Sequence, residues 1–359
     1  MGGGRSVAEV YRGFGEGEAA KGSPLYGRIA VAVSESEVAL RAIEKVPVRK
    51  RRPGVVFAAL YYLALAGRAP ELAAAYAAGD GDAAVGAAIE ALVGMTDAVA
   101  EVAVRRPLRG NEVGHGAVLY PAVAEVAWRA GAGAVGLIDV GCSAGLNLCV
   151  DRVGVAYGNG QSLGDPLSPV QVVASVVGDR AIPTRAMPEV VVRVGIDRGP
   201  VDVTDSDEVR WLRACVPPDR VEQAARLDAE LALAAADPPV LLQGDAVEVL
   251  PEALARVPSD VLPVVTTTWA LSAYSLEDRL RFLQRLDEAA TDRAVAWVSV
   301  EGVGVAPAVP TFGDRRASGH SIIGTAVFDH STLRVEGVGR SWSQGRMLSW
   351  LADSTVRSC

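Results

Sequence analysis

The chain has 359 residues, half of them apolar, with 43 acidic against 35 basic side chains and a net charge of −8. That balance excludes a protein that grips nucleic acid through a basic face, because phosphate neutralisation needs clustered positive charge. The length exceeds what one hydrophobic core fills, so two domains are expected.

The longest apolar run, Val55 to Ala66, is too short to span a bilayer, and the N-terminus carries no signal-peptide pattern. A cytoplasmic protein without a membrane partner is expected. Residues 1–130 read as a helical domain. Pro53 stands where a first helical residue is favoured, and Gly67 follows the last residues of the same helix. Between them Val55 to Leu63 is apolar on every side, which marks a helix central to its bundle. Val85, Ile89, Leu92, Met95, Val99 and Val102 recur at three- and four-residue steps, the pattern of one buried helix face. Arg49-Lys50-Arg51-Arg52 reads as a solvated turn or as a contact for a substrate phosphate or carboxylate. Arg109 to His115 then gathers polar groups and two glycines ahead of a helix running through Tyr120 and Trp128. Of the three histidines, His115 is the one placed for general-base work near neutral pH, with Asn111 and Glu112 beside it. His320 and His330 lie near the C-terminal strands and read as structural.

Residues 131–359 read as an α/β domain organised on Gly136-Leu137-Ile138-Asp139-Val140-Gly141-Cys142-Ser143-Ala144-Gly145-Leu146-Asn147-Leu148. This is a buried strand ending in an acid, a turn of small residues, and a helix start. Residues without bulk let the backbone approach a ligand, and a helix start offers it unpaired N–H groups. The helix from Leu146 runs to about Arg152, and Gly158 to Pro169 is a loop rich in Gly, Pro and Ser. Val190 to Asp197 is a second buried strand ending in an acid. Asp205 caps a helix, and Pro217-Pro218-Asp219 opens another. Pro239 to Ala246 is a short strand closed by Gly244-Asp245, and Leu262 to Trp269 is the fourth strand. Ser275-Leu276-Glu277-Asp278 is a helix-capping signal, and Ala294 to Glu301 is the fifth strand. Ser321–Phe328 and Thr332–Val338 leave no room for a helix between them and form a hairpin. Cys142, Cys149, Cys215 and Cys359 lack metal-binding spacing, so no metal is expected.

The glycine turn resembles the first motif of class I S-adenosylmethionine-dependent methyltransferases, with Asp139, Gly141 and Gly145 in place and Ser143 where the middle glycine stands. The alternating strand–helix series closed by an antiparallel hairpin resembles the layout of the same superfamily. A Gly-x-Gly-x-x-Gly pattern, expected of a dinucleotide dehydrogenase, is missing after the first strand. The whole chain further resembles an actinobacterial family of uncharacterised proteins that couples an Asn-Glu-Val-Gly element, here Asn111 to Gly114, to a Gly-x-Ser-Ala-Gly-Leu-Asn turn, here Gly141 to Asn147. That family often has histidine where this chain has Tyr61, and a His-Gly pair where it has Gln344-Gly345.

The resemblance implies a Rossmann-like class I methyltransferase sheet with a C-terminal antiparallel hairpin, beneath an N-terminal helical lid. It implies S-adenosylmethionine held by Asp139, Gly141, Ser143, Gly145, Asn147, Asp197, Asp245, Ala246 and Thr268. In it Asp197 takes the ribose hydroxyls and Asp245 the adenine amine. Catalysis would fall to His115, Glu112 and Tyr274, and a small-molecule substrate from specialised (natural product) metabolism would meet Asn111, Trp269 and Tyr61. A homodimer is left open. Two rivals stand beside this expectation: an NAD(P)-dependent oxidoreductase, and a sensor or assembly partner that binds S-adenosylmethionine without chemistry.

Overall fold

A computed structural model describes residues 5–17, 21–110, 115–330 and 332–353. The chain divides into two compact units, Met1–Asn111 with Asp205–Asp228, and Glu112–Thr204 with Ala229–Cys359. The first boundary falls at Asn111 rather than near residue 130. The reason is the helix Gly116–Arg129, whose Val118, Val123 and Val126 pack with the strand residues Val135, Leu137, Val264 and Val298.

The first unit is helical, and its helices start where the chain supplies caps. Ser6 and Glu9 form a reciprocal capping box on Val7–Glu16, Ser23 and Ser36 cap Pro24–Glu35 and Glu37–Lys45, and Pro53 and Pro70 open Pro53–Leu65 and Pro70–Ala78. Pro53–Leu65 is central, as its all-round apolarity requires: Val56, Phe57, Ala59, Leu60 and Leu63 are buried. Tyr11, Phe14 and Tyr26 surround the Phe57 ring at centroid distances of 5.8, 6.0 and 5.1 Å. The stripe from Val85 to Val102 is not one helix. It is split into Gly81–Gly94 and Thr96–Arg105, bent by 87° at Met95. Gly94 is a weak helix former, and Met95 leaves the helical region at φ −125°. Leu92, Val99 and Val102 are buried and Val85, Ile89 and Met95 pack half-buried against the same core, so the periodicity survives the bend. The later helix Ser206–Ala214, capped by Asp205, completes this core with Trp211, whose indole N–H donates to the Pro107 carbonyl at 2.9 Å.

The second unit is built on one mixed sheet. Its strands are β1 (Ala134–Val140), β2 (Gly154–Tyr157), β3 (Ser162–Gly164), β4 (Gln171–Val176), β5 (Glu189–Asp197), β6 (Val240–Gln243), β7 (Leu262–Thr268), β8 (Val295–Gly302), β9 (Ser321–Asp329), β10 (Thr332–Trp342) and β11 (Met347–Trp350). The spatial order is β3-β2-β4-β11-β10-β9-β8-β7-β1-β5-β6. The run from β8 to β6 is parallel, and β8, β9 and β10 pair antiparallel. β1 lies between its successor β5 and the later β7, so the winding reverses there. One face packs the helix Gly116–Arg129, and the other packs Ala246–Ala255 and Leu276–Ala289 through Val247, Leu250, Phe282 and Leu286. Two expectations are corrected. The stretch read as a loop at Gly158–Pro169 includes β3 and lies between β2 and β4, which with β11 extend the sheet. The helix expected from Leu146 is a short 3₁₀ segment, Leu146–Arg152, with non-helical backbone at Cys149. Among the described residues no single helix is long and apolar enough to cross a membrane.

Candidate functional site

The winding reverses at β1, and open α/β sheets take their ligands beyond the carboxyl ends of the strands at such a point, here the ends of β1 and β7. The chain fills that place with polar groups. β1 ends in Asp139, which is 1 % exposed. Its carboxylate accepts the Thr266 hydroxyl at 2.6 Å and the Asn147 amide NH₂ at 3.2 Å. The same NH₂ reaches the Thr268 hydroxyl oxygen at 3.3 Å. With its NH₂ turned to these oxygens, Asn147 presents its carbonyl oxygen to His115 Nδ1, 3.2 Å away. Only a donor N–H suits that contact, so the proton sits on Nδ1 and His115 Nε2 carries a lone pair. Nε2 is buried and has no hydrogen-bond partner among the described residues.

Burial pushes the Asp139 carboxyl up to about 6 against its two hydrogen bonds, with the nearby Asp197 charge adding to the rise. Burial also pushes His115 down to about 4, against the Asn147 bond. The histidine expected to titrate near neutrality is therefore held neutral. It is a neutral acceptor and a weak base.

The glycine turn is shaped by close packing. Gly141, Ser143 and Gly145 all have left-handed backbone, at φ 75°, 50° and 71°. A Cβ on Gly141 would stand 3.0 Å from that of Ala270, and one on Gly145 would stand 2.8 Å from a Pro239 ring carbon. Ser143 adopts a conformation that glycine reaches without strain, and its N–H donates to Asp197 Oδ2 at 3.0 Å. Asp197 Oδ1 accepts the Gly199 N–H at 2.8 Å, so this acid ties β5 to the turn.

Asp245 caps the helix Ala246–Ala255 through the Val247 N–H at 3.0 Å, and its other oxygen pairs with Arg198 at 2.6 Å. The Arg198 guanidinium lies 5.3 Å from the centre of the Tyr274 ring, and the Tyr274 hydroxyl accepts the Ala246 N–H at 3.4 Å. Just beyond β7, Trp269 has left-handed backbone at φ 54°. Its indole donates to Ser321 at 2.7 Å and its ring lies 4.8 Å from the His115 ring. Glu301 at the end of β8 holds this segment by accepting the N–H groups of Ala270 and Leu271, each at 3.0 Å. Burial pushes Glu301 up to about 7.

Asp139, Asn147, His115, Thr268 and Trp269 thus form one connected group. Gly141, Ser143, Gly145 and Asp197 form the turn beside it, and Asp245, Ala246 and Tyr274 a third group with Arg198. Tyr61 lies in the helical unit, edge-to-face with Tyr76 at 5.4 Å. Asn111 and Glu112 lie outside the described residues. His320 pairs with Asp314 at 2.8 Å, and His330 Nδ1 lies 3.1 Å from the Thr291 carbonyl oxygen. Thr266, Arg198 and Glu301 were not singled out from the sequence. The Thr266-Thr267-Thr268 run, the cation after Asp197 and the acid closing β8 were the available signals.

The fold and site define an α/β protein with a buried polar relay at the winding reversal of its sheet. Residues 8–350 match the family described as "Uncharacterized protein conserved in bacteria (DUF2332)". The chain belongs to that family. No curated protein and no solved structure matches it.

Proposed function

We propose that this protein is an S-adenosylmethionine-dependent methyltransferase acting on a small molecule, built on a Rossmann-like sheet and set in the cytoplasm. One observation carries the reading. The acids ending β1, β5 and β6, Asp139, Asp197 and Asp245, stand at the carboxyl ends of three neighbouring parallel strands, and the turn joins two of them through the Ser143 N–H bond to Asp197. The parallel order on either side of β1 and the hairpin after β8 support it.

Asp197 would hold the ribose hydroxyls, Asp245 with Ala246 and Tyr274 the adenine edge, and Asp139, Asn147 and Thr268 the amino-acid end. The bound cofactor would supply an electrophilic methyl group. Asn147 fixes the His115 tautomer and so points a lone pair, at Nε2, toward a nucleophile's proton. A base held down to about 4 takes that proton only as the new bond forms. The Trp269 ring shields the imidazole from water. Glu112 would act beside His115, and the substrate class is the kind made in natural product biosynthesis.

Titration calorimetry with S-adenosylhomocysteine tests the assignment. Binding is expected, weakened more than about tenfold by Asp197→Ala and less by Asp197→Asn, since bonds to a charged group contribute roughly 1.5–3 kcal/mol. NAD(P) binding with no response to S-adenosylhomocysteine would overturn it.

A further inference from the structure

A second polar cleft, of about 310 Å³, opens at the carboxyl end of β8. Ser272, Arg279, Gly302, Val305, Arg316 and His320 line it. Its lining holds two arginines and no acid, in a protein whose net charge is −8. A pocket of local positive charge in an acidic chain is where an anion gains most from direct contact.

The two guanidinium groups differ in how they are held. Arg279 donates to the backbone carbonyls of Leu271, Val305 and Ser272 at 2.8, 3.4 and 3.4 Å. Its hydrogen bonds go to neutral partners that fix its plane; it makes no ion pair among the described residues, and the buried Glu301 carboxyl is near enough to feel its charge. Arg316 is exposed and lies over Gly304, where a Cβ would stand 3.9 Å from its Nε. It too has no carboxylate partner among the described residues. The nearest acids are committed elsewhere. Asp314 is shared by Arg340, at 2.6 and 3.0 Å, and His320, and Glu301 accepts two backbone N–H groups. A planar fork held by the backbone beside a second, unengaged fork suits a group with two or three equivalent oxygens. Ser272 lies three residues after Trp269 of the site at β1 and β7, and its hydroxyl donates to the Trp269 carbonyl at 3.2 Å.

We propose that this cleft binds a compact oxyanion, the phosphate or carboxylate group of an anionic small molecule. In calling that molecule the methyl acceptor, the proposal rests on the transferase reading; the oxyanion site itself does not. The test is calorimetric titration of the full chain at low ionic strength with inorganic phosphate and, separately, with malonate. Saturable binding of one or both is expected, and the tighter of the two names the group recognised. Arg316→Glu should weaken it at least tenfold, Arg316→Lys should keep most of it, and S-adenosylhomocysteine affinity should be unchanged in both. Arg256, an exposed arginine outside the cleft, is the control. No saturable binding of either anion, or an equal loss in Arg256→Gln, overturns the proposal. If phosphate or malonate binds as stated but S-adenosylhomocysteine does not, the oxyanion cleft stands and the transferase reading falls.

Discussion

Asp139 and His115 contact the same amide, that of Asn147, and burial moves their proton affinities in opposite directions. Asp139, raised to about 6, binds a proton more tightly folded than unfolded. Its contribution to stability is complete below its unfolded value near 4 and is lost as pH rises through about 6. His115, lowered to about 4, works the other way: its contribution is complete above about 6.5 and is lost as pH falls toward 4. The two trends oppose each other across the same window, so wild-type stability understates both. Replacing one group exposes the other. Asp139→Asn, made in wild type and in His115→Gln, should gain relative stability between pH 4 and 6.5, by on the order of 2–3 kcal/mol, and level off above that. Urea melts at half-unit pH steps check this. A pH-independent difference between Asp139→Asn and its parent would show that Asp139 titrates normally in the fold.

Glu301 shows how one side chain sets the path of a whole connection. The segment from Trp269 to Leu271 leaves β7 through left-handed backbone at Trp269, and two of its N–H groups end on one Glu301 oxygen. Glu301→Gln keeps a carbonyl acceptor there and should cost under about 1 kcal/mol. Glu301→Ala leaves two N–H groups without an acceptor and should cost roughly 2–4 kcal/mol in denaturant melts. Equal costs would show that the segment is held by other contacts, such as Trp269 on Ser321. What was legible in the sequence follows the same logic of length and pattern. β1, β5, β7 and β8 are continuous apolar runs with acids or threonines at their tips, and the hairpin has too short a connection to hide a helix. β3 has three residues and β2 and β11 four each, too few to establish alternation against a background of Gly, Ser and Pro. The bend at Met95 was hidden because both helices bury residues in the same phase. The relay was half legible: Asp139, Asn147 and His115 stood out singly, but their connection through one amide depends on elements far apart in sequence.

At the scale of the molecule, the helical unit is discontinuous in the chain. Trp211, 1 % exposed, belongs to the core of the N-terminal helices. Arg106 pairs with both Asp207 and Glu208, and Asp219 accepts from the Ser23 hydroxyl at 2.6 Å and the Leu25 N–H at 2.9 Å. A fragment of residues 1–111 should therefore melt broadly or bind a hydrophobic dye, whereas the same fragment joined by a flexible linker to residues 205–228 should melt cooperatively. Circular dichroism and dye fluorescence on the two fragments check this, and an equally sharp melt for residues 1–111 alone would show that Trp211 is dispensable. During synthesis the same arrangement becomes a matter of waiting. The first helices leave the ribosome, but the segment that completes their core is made only after β1 to β5. At roughly 5–20 residues per second, the nascent chain carries an unfinished apolar surface for about 5–20 s, time enough for a chaperone to engage the N-terminal helices before their missing piece arrives.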